Sequence, residues 1–146
     1  MRVHESGYEL DPSRDRLDLD LIEQWLAAEA YWALGRPRSV IERSIDNSTV
    51  YGLYGRSGEQ VGVFRVVTDN ATFAWLCDVF IDKEHRGNGL AQWAVAHIRD
   101  DLLATGVYRI ILATADAHGV YEKVGFAPLA EPDRLMALTT RRIGES

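Results

Sequence analysis

The sequence predicts a mixed α/β (α+β) fold whose mostly antiparallel sheet has six to seven strands, with about four helices around it. Three patterns carry this prediction. After a first short strand, helical periodicity marks the rest of the N-terminal third of the chain, a run of strands with short turns follows, and a strand–helix–strand unit comes next. Because crossovers within one sheet are right-handed, the two strands of that unit should be parallel. The 146 residues suit one domain, assigned to residues 1–146.

The N-terminal part of the chain is predicted to hold one strand and two helices. The strand runs from Val3 to Leu10. The first helix is capped by Asp18 or Asp20. Its apolar face is formed by Leu21, Ile22, Trp25 and Leu26. Pro37 suits the first turn of the second helix, which runs to about Asn47. Tyr31 and Trp32 lie between the helices, where two aromatic rings either line a substrate site or close the core.

The next elements build the sheet and its crossover unit. Their predicted bounds are Val50 to Tyr54, Gln60 to Val67 and Thr72 to Ile81 for three antiparallel strands, then a helix from Leu90 that stops at Gly106, and Tyr108 to Ala113 for the parallel strand. A short helix capped by Asp116 and ended by Gly125 follows. A last strand from Leu135 to Thr140 completes the sheet, before a polar tail from Arg141.

Composition argues against several classes of protein. A net charge of −6 argues against nucleic acid as a partner, and the chain has no run of about eighteen apolar residues that could span a membrane. The single cysteine, Cys77, fits a reducing cytoplasm, and its apolar surroundings favour a small core side chain over a nucleophile. The four histidines are scattered, so we predict no metal site. The single cysteine and the lack of an apolar span lead us to expect a cytoplasmic protein. An exposed edge of the predicted sheet would also allow a homodimer.

The stretch from Asp78 to Ala91 combines a buried strand, a glycine turn and the start of a helix. Gly87 and Gly89 leave the turn without side chains, so a ligand can approach its backbone closely. The first N–H groups and the positive dipole end of the helix face the same turn, which predicts an anion site. A P-loop would need a Gly-Lys-Ser/Thr ending, and a dinucleotide fingerprint would need glycine in place of Gln92.

Two motifs resemble those of a known family. Arg86-x-x-Gly89-x-Ala91 resembles the acyl-CoA pyrophosphate loop of the GNAT superfamily of N-acetyltransferases. Ala117-x-x-x-Tyr121-x-Lys123-x-Gly125-Phe126 is similar to the second signature of that family, and it follows at the separation that the family shows. Two motifs in the right order arise by chance far less often than one. The chain thus resembles a GNAT N-acetyltransferase over nearly its whole length.

The resemblance implies the GNAT acyl-CoA N-acyltransferase fold, with a central parallel pair of strands that splay apart, and acetyl-CoA as co-substrate. The acetyl group would pass to the primary amine of a small molecule or peptide, by direct attack in a ternary complex. A catalytically silent acyl-CoA-binding or interaction module on the same fold is the alternative. The implied coenzyme contacts are Val79, Phe80, Ile81, Arg86, Gly87, Asn88, Gly89, Leu90, Ala91, Thr114, Ala117 and Tyr121. Thr114 stands where the family often has asparagine.

The resemblance also implies roles in catalysis and substrate binding. Tyr121 matches the general acid that protonates the coenzyme sulfur, since a phenol stays protonated at neutral pH. His118 lies one turn before it and is a candidate base, because imidazole titrates near neutrality. We expect His118, Tyr31 and Trp32 to contact the substrate.

Asp78 is the other predicted catalytic residue, as a general base that acts directly or through water. It is the one charge in an apolar strand, where burial should raise its pKa. Period-two alternation places it on the same face as Leu76 and Phe80. The alternative is that Asp78 serves as a structural hydrogen-bond acceptor.

Overall fold

The computed structural model describes residues 1–140, and within them six strands form one sheet in the order β1 to β6. The strands are β1 (Arg2–Val3), β2 (Glu9–Asp11), β3 (Thr49–Tyr54), β4 (Gln60–Thr68), β5 (Phe73–Ile81) and β6 (Arg109–Leu112). Neighbouring strands are antiparallel from β1 to β5, whereas β6 is parallel to β5. The predicted mixed sheet and its parallel crossover are confirmed. The assignment of residues 1–146 to one domain stays a prediction.

Four α-helices accompany the sheet in the described part of the chain: α1 (Leu19–Glu23), α2 (Arg38–Asp46), α3 (Leu90–Ala104) and α4 (His118–Glu122). A π-helical segment, Gln24–Glu29, continues α1, so the first predicted helix is α-helical in its first part and π-helical in its second. Asp18 caps α1, because its carboxylate accepts a hydrogen bond of 3.1 Å from the Leu21 N–H. Pro37 directly precedes α2, where its fixed φ suits a helix start.

The sheet separates two apolar cores. On one face, α3 buries Leu90, Ala94, Ile98 and Leu102 against the strands. These are the residues whose four-residue repeat predicts the helix, and they form its buried stripe. On the other face, α1, its π-helical extension and α2 surround residues such as Trp25. Because both faces are covered, the strand backbones are accessible only at the outer edges of the sheet and where strands end or separate.

The predicted first strand is wrong in its extent. Instead of one strand from Val3 to Leu10, the chain forms the short hairpin of β1 and β2. The His4 N–H donates to the Tyr8 carbonyl at 2.7 Å, which closes the turn. Gly7 has a φ of 96° in this turn, a left-handed backbone that glycine adopts without strain. The glycine therefore divides the run into two strands.

The predicted last strand, from Leu135 to Thr140, is wrong for the described chain, where this segment pairs with no other strand. Residues 127–140, which we call the C-terminal arm, are irregular apart from a 3₁₀ turn at Pro132–Arg134. Every arm residue is exposed, so the apolar side chains that predict the strand find no core here. Within residues 1–140, the outer edge of β6 has no strand beside it. The predicted polar tail from Arg141 lies outside the described residues.

Candidate active site

The parallel strands β5 and β6 separate part-way along their length. Their pairing ends at Leu76 and Leu112. Beyond this point β5 continues to Ile81 alongside β4, with none of β6 beside it. Backbone groups that point away from β4 in this last part of β5 are therefore open to a ligand that pairs like a strand. The splayed parallel pair implied by the sequence is confirmed.

A bulge in β5 lies at this split. One residue of β4 faces two residues of β5, Asp78 and Val79, and Asp78 has a φ of 46°. The extra residue reverses the alternation of side chains. Leu76 belongs to the core beside α3, whereas Phe80 belongs to the core beside α1 and α2. The prediction that Asp78 shares a face with both Leu76 and Phe80 is therefore wrong, because period-two alternation does not continue through a bulge.

Three hydrogen bonds hold Asp78. Its Oδ1 accepts from the Trp32 indole N–H at 2.9 Å, and its Oδ2 accepts from Arg36 and Arg65, each at 2.8 Å. Burial by itself raises the pKa of this 5% exposed carboxyl group, but the guanidinium groups of Arg65 and Arg36 outweigh burial and lower the pKa of Asp78. The predicted upward shift is wrong. A carboxylate with both oxygens engaged and a lowered pKa is a poor proton acceptor, which favours the structural alternative.

The turn between β5 and α3 presents unpaired backbone N–H groups. Gly87 and Gly89 have φ values of 86° and 78°, and a Cβ at either position would meet nothing within 4 Å. The N–H groups of residues 87 to 91 donate to no acceptor within residues 1–140, and Gly89 gives α3 no side-chain cap. Unpaired N–H groups at the positive end of a fifteen-residue helix suit an anion such as a pyrophosphate.

Arg86 fastens this turn to the end of β5. Its Nε donates to the Ile81 carbonyl at 2.7 Å, and its guanidinium carbon lies 5.0 Å from the centre of the Phe80 ring. The carbonyl of Ile81, one of the coenzyme contacts that the family resemblance implies, is therefore partly engaged by the protein itself. Arg86 keeps its positive charge at the turn, where an anionic ligand would benefit from it.

The second motif forms α4 and the loop before it. The Thr114 hydroxyl oxygen accepts from the Ala117 N–H at 3.0 Å, so Thr114 closes the turn that precedes α4. The predicted cap at Asp116 is wrong, because its exposed side chain makes no capping bond. Thr114 keeps its hydroxyl hydrogen for donation to a ligand. Gly125 has a φ of 103° and ends the helical turn, as predicted.

Tyr121 lies in a groove of about 320 Å³ that runs along β6 and α4. Thr114 and His118 line the same groove. Burial, the charge of Asp116 and the phenol of Tyr31 each raise the pKa of Tyr121. The phenol is therefore protonated at neutral pH, and within the described residues its hydroxyl has no hydrogen-bond acceptor. A protonated, unpaired phenol can donate a proton to a bound molecule.

Comparison with known proteins agrees with this geometry. The family model described as Acetyltransferase (GNAT) family matches residues 19–126. The chain belongs to the GNAT family of acetyltransferases. A crystal structure of an inferred GNAT acetyltransferase from Xanthomonas campestris pv. campestris is 37% identical, with a TM-score of 0.85 over 92% of this chain and 94% of that chain. A Gibberella zeae protein named as an inferred acetyltransferase is 28% identical over 126 residues, which are 73% of this chain and 71% of that protein.

More distant structures share the GNAT fold alone. One is the N-acetylglutamate synthase from Neisseria gonorrhoeae, solved in complex with coenzyme A and N-acetyl-glutamate. It is 18% identical, with a TM-score of 0.68, and the match covers 89% of this chain and 30% of that chain.

The two aromatic residues predicted to contact the substrate of this GNAT protein have different surroundings. Tyr31 is 43% exposed, whereas Trp32 is half-buried against the core beside α1 and α2. Their rings meet edge to face, with centres 5.0 Å apart. Trp32 therefore closes the core and bonds Asp78, while Tyr31 stays accessible and close enough to Tyr121 to raise its pKa. His118 is exposed at the start of α4, beside the same groove.

Sequence reasoning missed Arg36 and Arg65, the two cations that hold Asp78. One signal was available, because a lone carboxylate in an apolar strand needs a cationic partner to be buried. That signal does not identify the partner among 16 lysines and arginines. Both arginines are far from Asp78 along the chain or on another strand, and only the folded structure brings them to it.

Within residues 1–140, no group of three or more His, Cys, Asp or Glu side chains could hold a metal ion. In the same range, no helix combines the length and apolar character needed to cross a membrane. Burial raises the pKa of the Cys77 thiol to about 11, so the thiol is protonated at neutral pH and is a weak nucleophile.

Proposed function

We propose that this GNAT protein transfers the acetyl group of acetyl-CoA to the primary amine of a small molecule or peptide, by direct attack in a ternary complex. The observation that carries the proposal is the split between β5 and β6, with unpaired N–H groups at one end and the protonated phenol of Tyr121 beside it. An open strand, an anion site and an acid are the parts that acyl transfer from a coenzyme A thioester needs.

The coenzyme contacts follow from this arrangement. The N–H groups of residues 87 to 91 would hold the pyrophosphate, with the charge of Arg86 nearby. The open backbone around Val79 would pair with the amides of the pantetheine arm, and Thr114 would donate its hydroxyl hydrogen. The distant N-acetylglutamate synthase, solved with coenzyme A, supports this class of ligand for the fold.

The proposed reaction moves one acetyl group and two protons. The amine nitrogen attacks the thioester carbonyl carbon, and the carbon–sulfur bond breaks as the amide forms. A main-chain N–H near Val79 would stabilise the oxyanion. Tyr121 would protonate the leaving thiolate and regain a proton from solvent. The amine proton would pass to His118 or to water, because both oxygens of Asp78 are already engaged.

The test is the release of free thiol from acetyl-CoA in the presence of a panel of primary amines, both small molecules and peptides. We expect thiol release that depends on one class of amine, with the acetylated amine identified by mass. Acetyl-CoA binding without turnover on any amine would instead support a silent acyl-CoA-binding module. If neither coenzyme A nor acetyl-CoA binds, both proposals fail. A cytoplasmic location and the lack of nucleic-acid and membrane partners stay predictions.

A further inference from the structure

The charged cluster at the bulge of β5 contains two cations and one anion. Asp78 accepts from Arg36 and Arg65, each at 2.8 Å. Within residues 1–140, neither arginine forms an ion pair with a second carboxylate. The neighbouring thiol of Cys77 is neutral, and the charges that act on its pKa are those of the same three residues. The cluster therefore has a net charge of +1, in a chain whose net charge is −6.

Both guanidinium groups of this cluster have unused hydrogen-bond donors. A guanidinium group carries five N–H groups. Arg36 uses one of them, for Asp78, and Arg65 uses two, for Asp78 and for the Ser48 hydroxyl oxygen at 3.1 Å. In the part of the chain that the structure describes, the other N–H groups find no acceptor. The two side chains are 20% and 17% exposed, so a further anion could reach them and would be only weakly screened by water.

The cluster lies beside the groups proposed for catalysis. Asp78 directly precedes Val79, whose open backbone is the proposed site of the thioester. The other oxygen of Asp78 accepts from Trp32, whose ring meets that of Tyr31 at 5.0 Å between centres. Tyr31 is in turn close enough to Tyr121 to raise its pKa. A small acceptor whose amine reaches the thioester beside Val79 therefore has the cationic cluster next to it.

We propose that the acceptor is a small amine that also carries a carboxylate, and that Arg36 and Arg65 bind this carboxylate. The inference rests on the proposed acetyl transfer. The planar fork of a guanidinium group matches the two oxygens of a carboxylate. One carboxylate balances the surplus charge of the cluster, whereas a phosphate, with a charge of about −1.5 to −2, exceeds it. Asp78 acts as a positioning residue, because it holds both guanidinium groups beside the acceptor.

The first test measures thiol release from acetyl-CoA with α-, β- and γ-amino acids, each beside its own carboxamide. The carboxamide has nearly the same size and no charge. We expect kcat/KM of the preferred amino acid to exceed that of its amide by about tenfold or more, because hydrogen bonds to charged groups are the stronger ones. A neighbouring carboxylate raises the pKa of an amine, so the amide has more of the unprotonated, reactive amine. A preference for the acid therefore comes from the protein.

The second test replaces Arg36. Arg36→Gln should raise KM for the amino acid by about tenfold or more and leave KM for the amide within about twofold. Arg36→Lys should keep part of the preference, because it retains the charge and loses the fork. A merely structural role would affect the acid and the amide equally. The matched control is Arg38→Gln on α2, whose guanidinium pairs with Asp20 and Glu42, and it should keep the full preference.

Calorimetric binding of the same pairs to the protein loaded with coenzyme A needs no turnover, and we expect the amino acid to bind more tightly than its amide. Amides that are acetylated as well as the acids would overturn this inference and leave acetyl transfer standing. So would a preference for the acid that survives Arg36→Gln unchanged. Tighter binding of the acid without turnover of any amine would instead overturn acetyl transfer and support a carboxylate site at the two arginines.

Discussion

Asp78 combines three features that are each uncommon: its backbone is left-handed, its side chain is almost completely buried, and its carboxylate keeps its negative charge. Aspartate and asparagine are among the few residues other than glycine that adopt such a backbone. The charge is retained because the guanidinium groups of Arg36 and Arg65 share one of its oxygens, while the Trp32 indole takes the other. Asp78 therefore links the segment that carries Trp32 and Arg36 to the bulge in β5.

We expect Asp78→Asn to lower the free energy of unfolding by about 3 kcal/mol, because it leaves two partly buried guanidinium groups without their carboxylate. Asparagine tolerates the same backbone and has nearly the same shape, but it removes the charge and replaces one of the two accepting oxygens by an N–H₂ group that can only donate. Denaturant unfolding measures the loss. The control is Asp46→Asn, an exposed partner of Arg14, which should cost less than about 1 kcal/mol. Equal losses in the two variants would contradict the role of Asp78.

The stability difference between wild type and Asp78→Asn should depend on pH. The folded state lowers the pKa of Asp78, so its contribution is complete above the unfolded-state pKa of about 4 and is lost as pH falls through the lower folded-state value. The two unfolding curves should therefore converge in acid and stay apart near pH 7. A constant difference across the acid range would show that the loss does not come from the carboxylate.

Replacement of Tyr121 tests its proposed role as the general acid. Tyr121→Phe removes the hydroxyl that would protonate the leaving thiolate, and we expect kcat to fall by roughly 10²-fold at neutral pH. Coenzyme A affinity should stay within about twofold, because the ring and its contact with Phe126 remain. Thiol-release kinetics and calorimetry measure the two quantities. Tyr108→Phe, at an exposed phenol before β6, is the control and should leave both unchanged. Full activity in Tyr121→Phe would remove the general-acid assignment.

At the scale of elements, the turn before α3 depends on backbone rather than on side chains. Gly89→Ala meets no neighbour within 4 Å, but it places a Cβ on a left-handed residue, which costs about 1 kcal/mol. The resulting shift of the N–H groups should weaken coenzyme A binding by at least tenfold, as measured by calorimetry. Gly58→Ala has the same strain in the hairpin between β3 and β4 and an equally open site, so it should lose similar stability without losing affinity. Equal affinities would argue against pyrophosphate binding at this turn.

The elements that the sequence predicts well are those with a sustained pattern. The repeat from Leu90 to Leu102 and the run of strands from β3 to β5 need only periodicity and turn residues, and their bounds agree within one or two residues. The bulge at Asp78 is different, because one extra residue reverses the alternation and no local pattern marks it. The expected rise in the pKa of Asp78 is wrong for a related reason, because the arginines that lower that pKa come from other elements and no local pattern identifies them.

At the two ends of the chain, local pattern and tertiary context disagree. The run from Val3 to Leu10 is predicted to be one strand, but Gly7 turns the chain back within it. The pattern from Leu135 to Thr140 predicts a strand whose partner is absent from the described chain. A strand pattern indicates that a segment can form a strand, but it does not identify the strand with which that segment pairs.

At the scale of the whole molecule, the proposed site lies where the two cores meet. β5 carries residues of both, with Leu76 in the core beside α3 and Phe80 in the core beside α1 and α2. A ligand that pairs with the open part of β5 and with the turn before α3 would therefore contact both the sheet and the start of α3. Such a ligand binds the folded state alone, so its affinity appears as added stability.

Because ligand binding adds stability, unfolding measurements can separate the contributions of the pyrophosphate and of the pantetheine arm to coenzyme A affinity. At one hundred times its Kd, coenzyme A should add about 2.7 kcal/mol to the free energy of unfolding, which raises Tm by roughly 5–10 °C for a chain of this size. Pantetheine at the same concentration keeps the amides and the thiol but lacks the pyrophosphate, so it should raise Tm much less. Differential scanning calorimetry measures both shifts. Equal shifts would mean that the unpaired N–H groups of residues 87 to 91 do not hold the pyrophosphate, since the strand-like pairing along β5 would then account for the whole affinity.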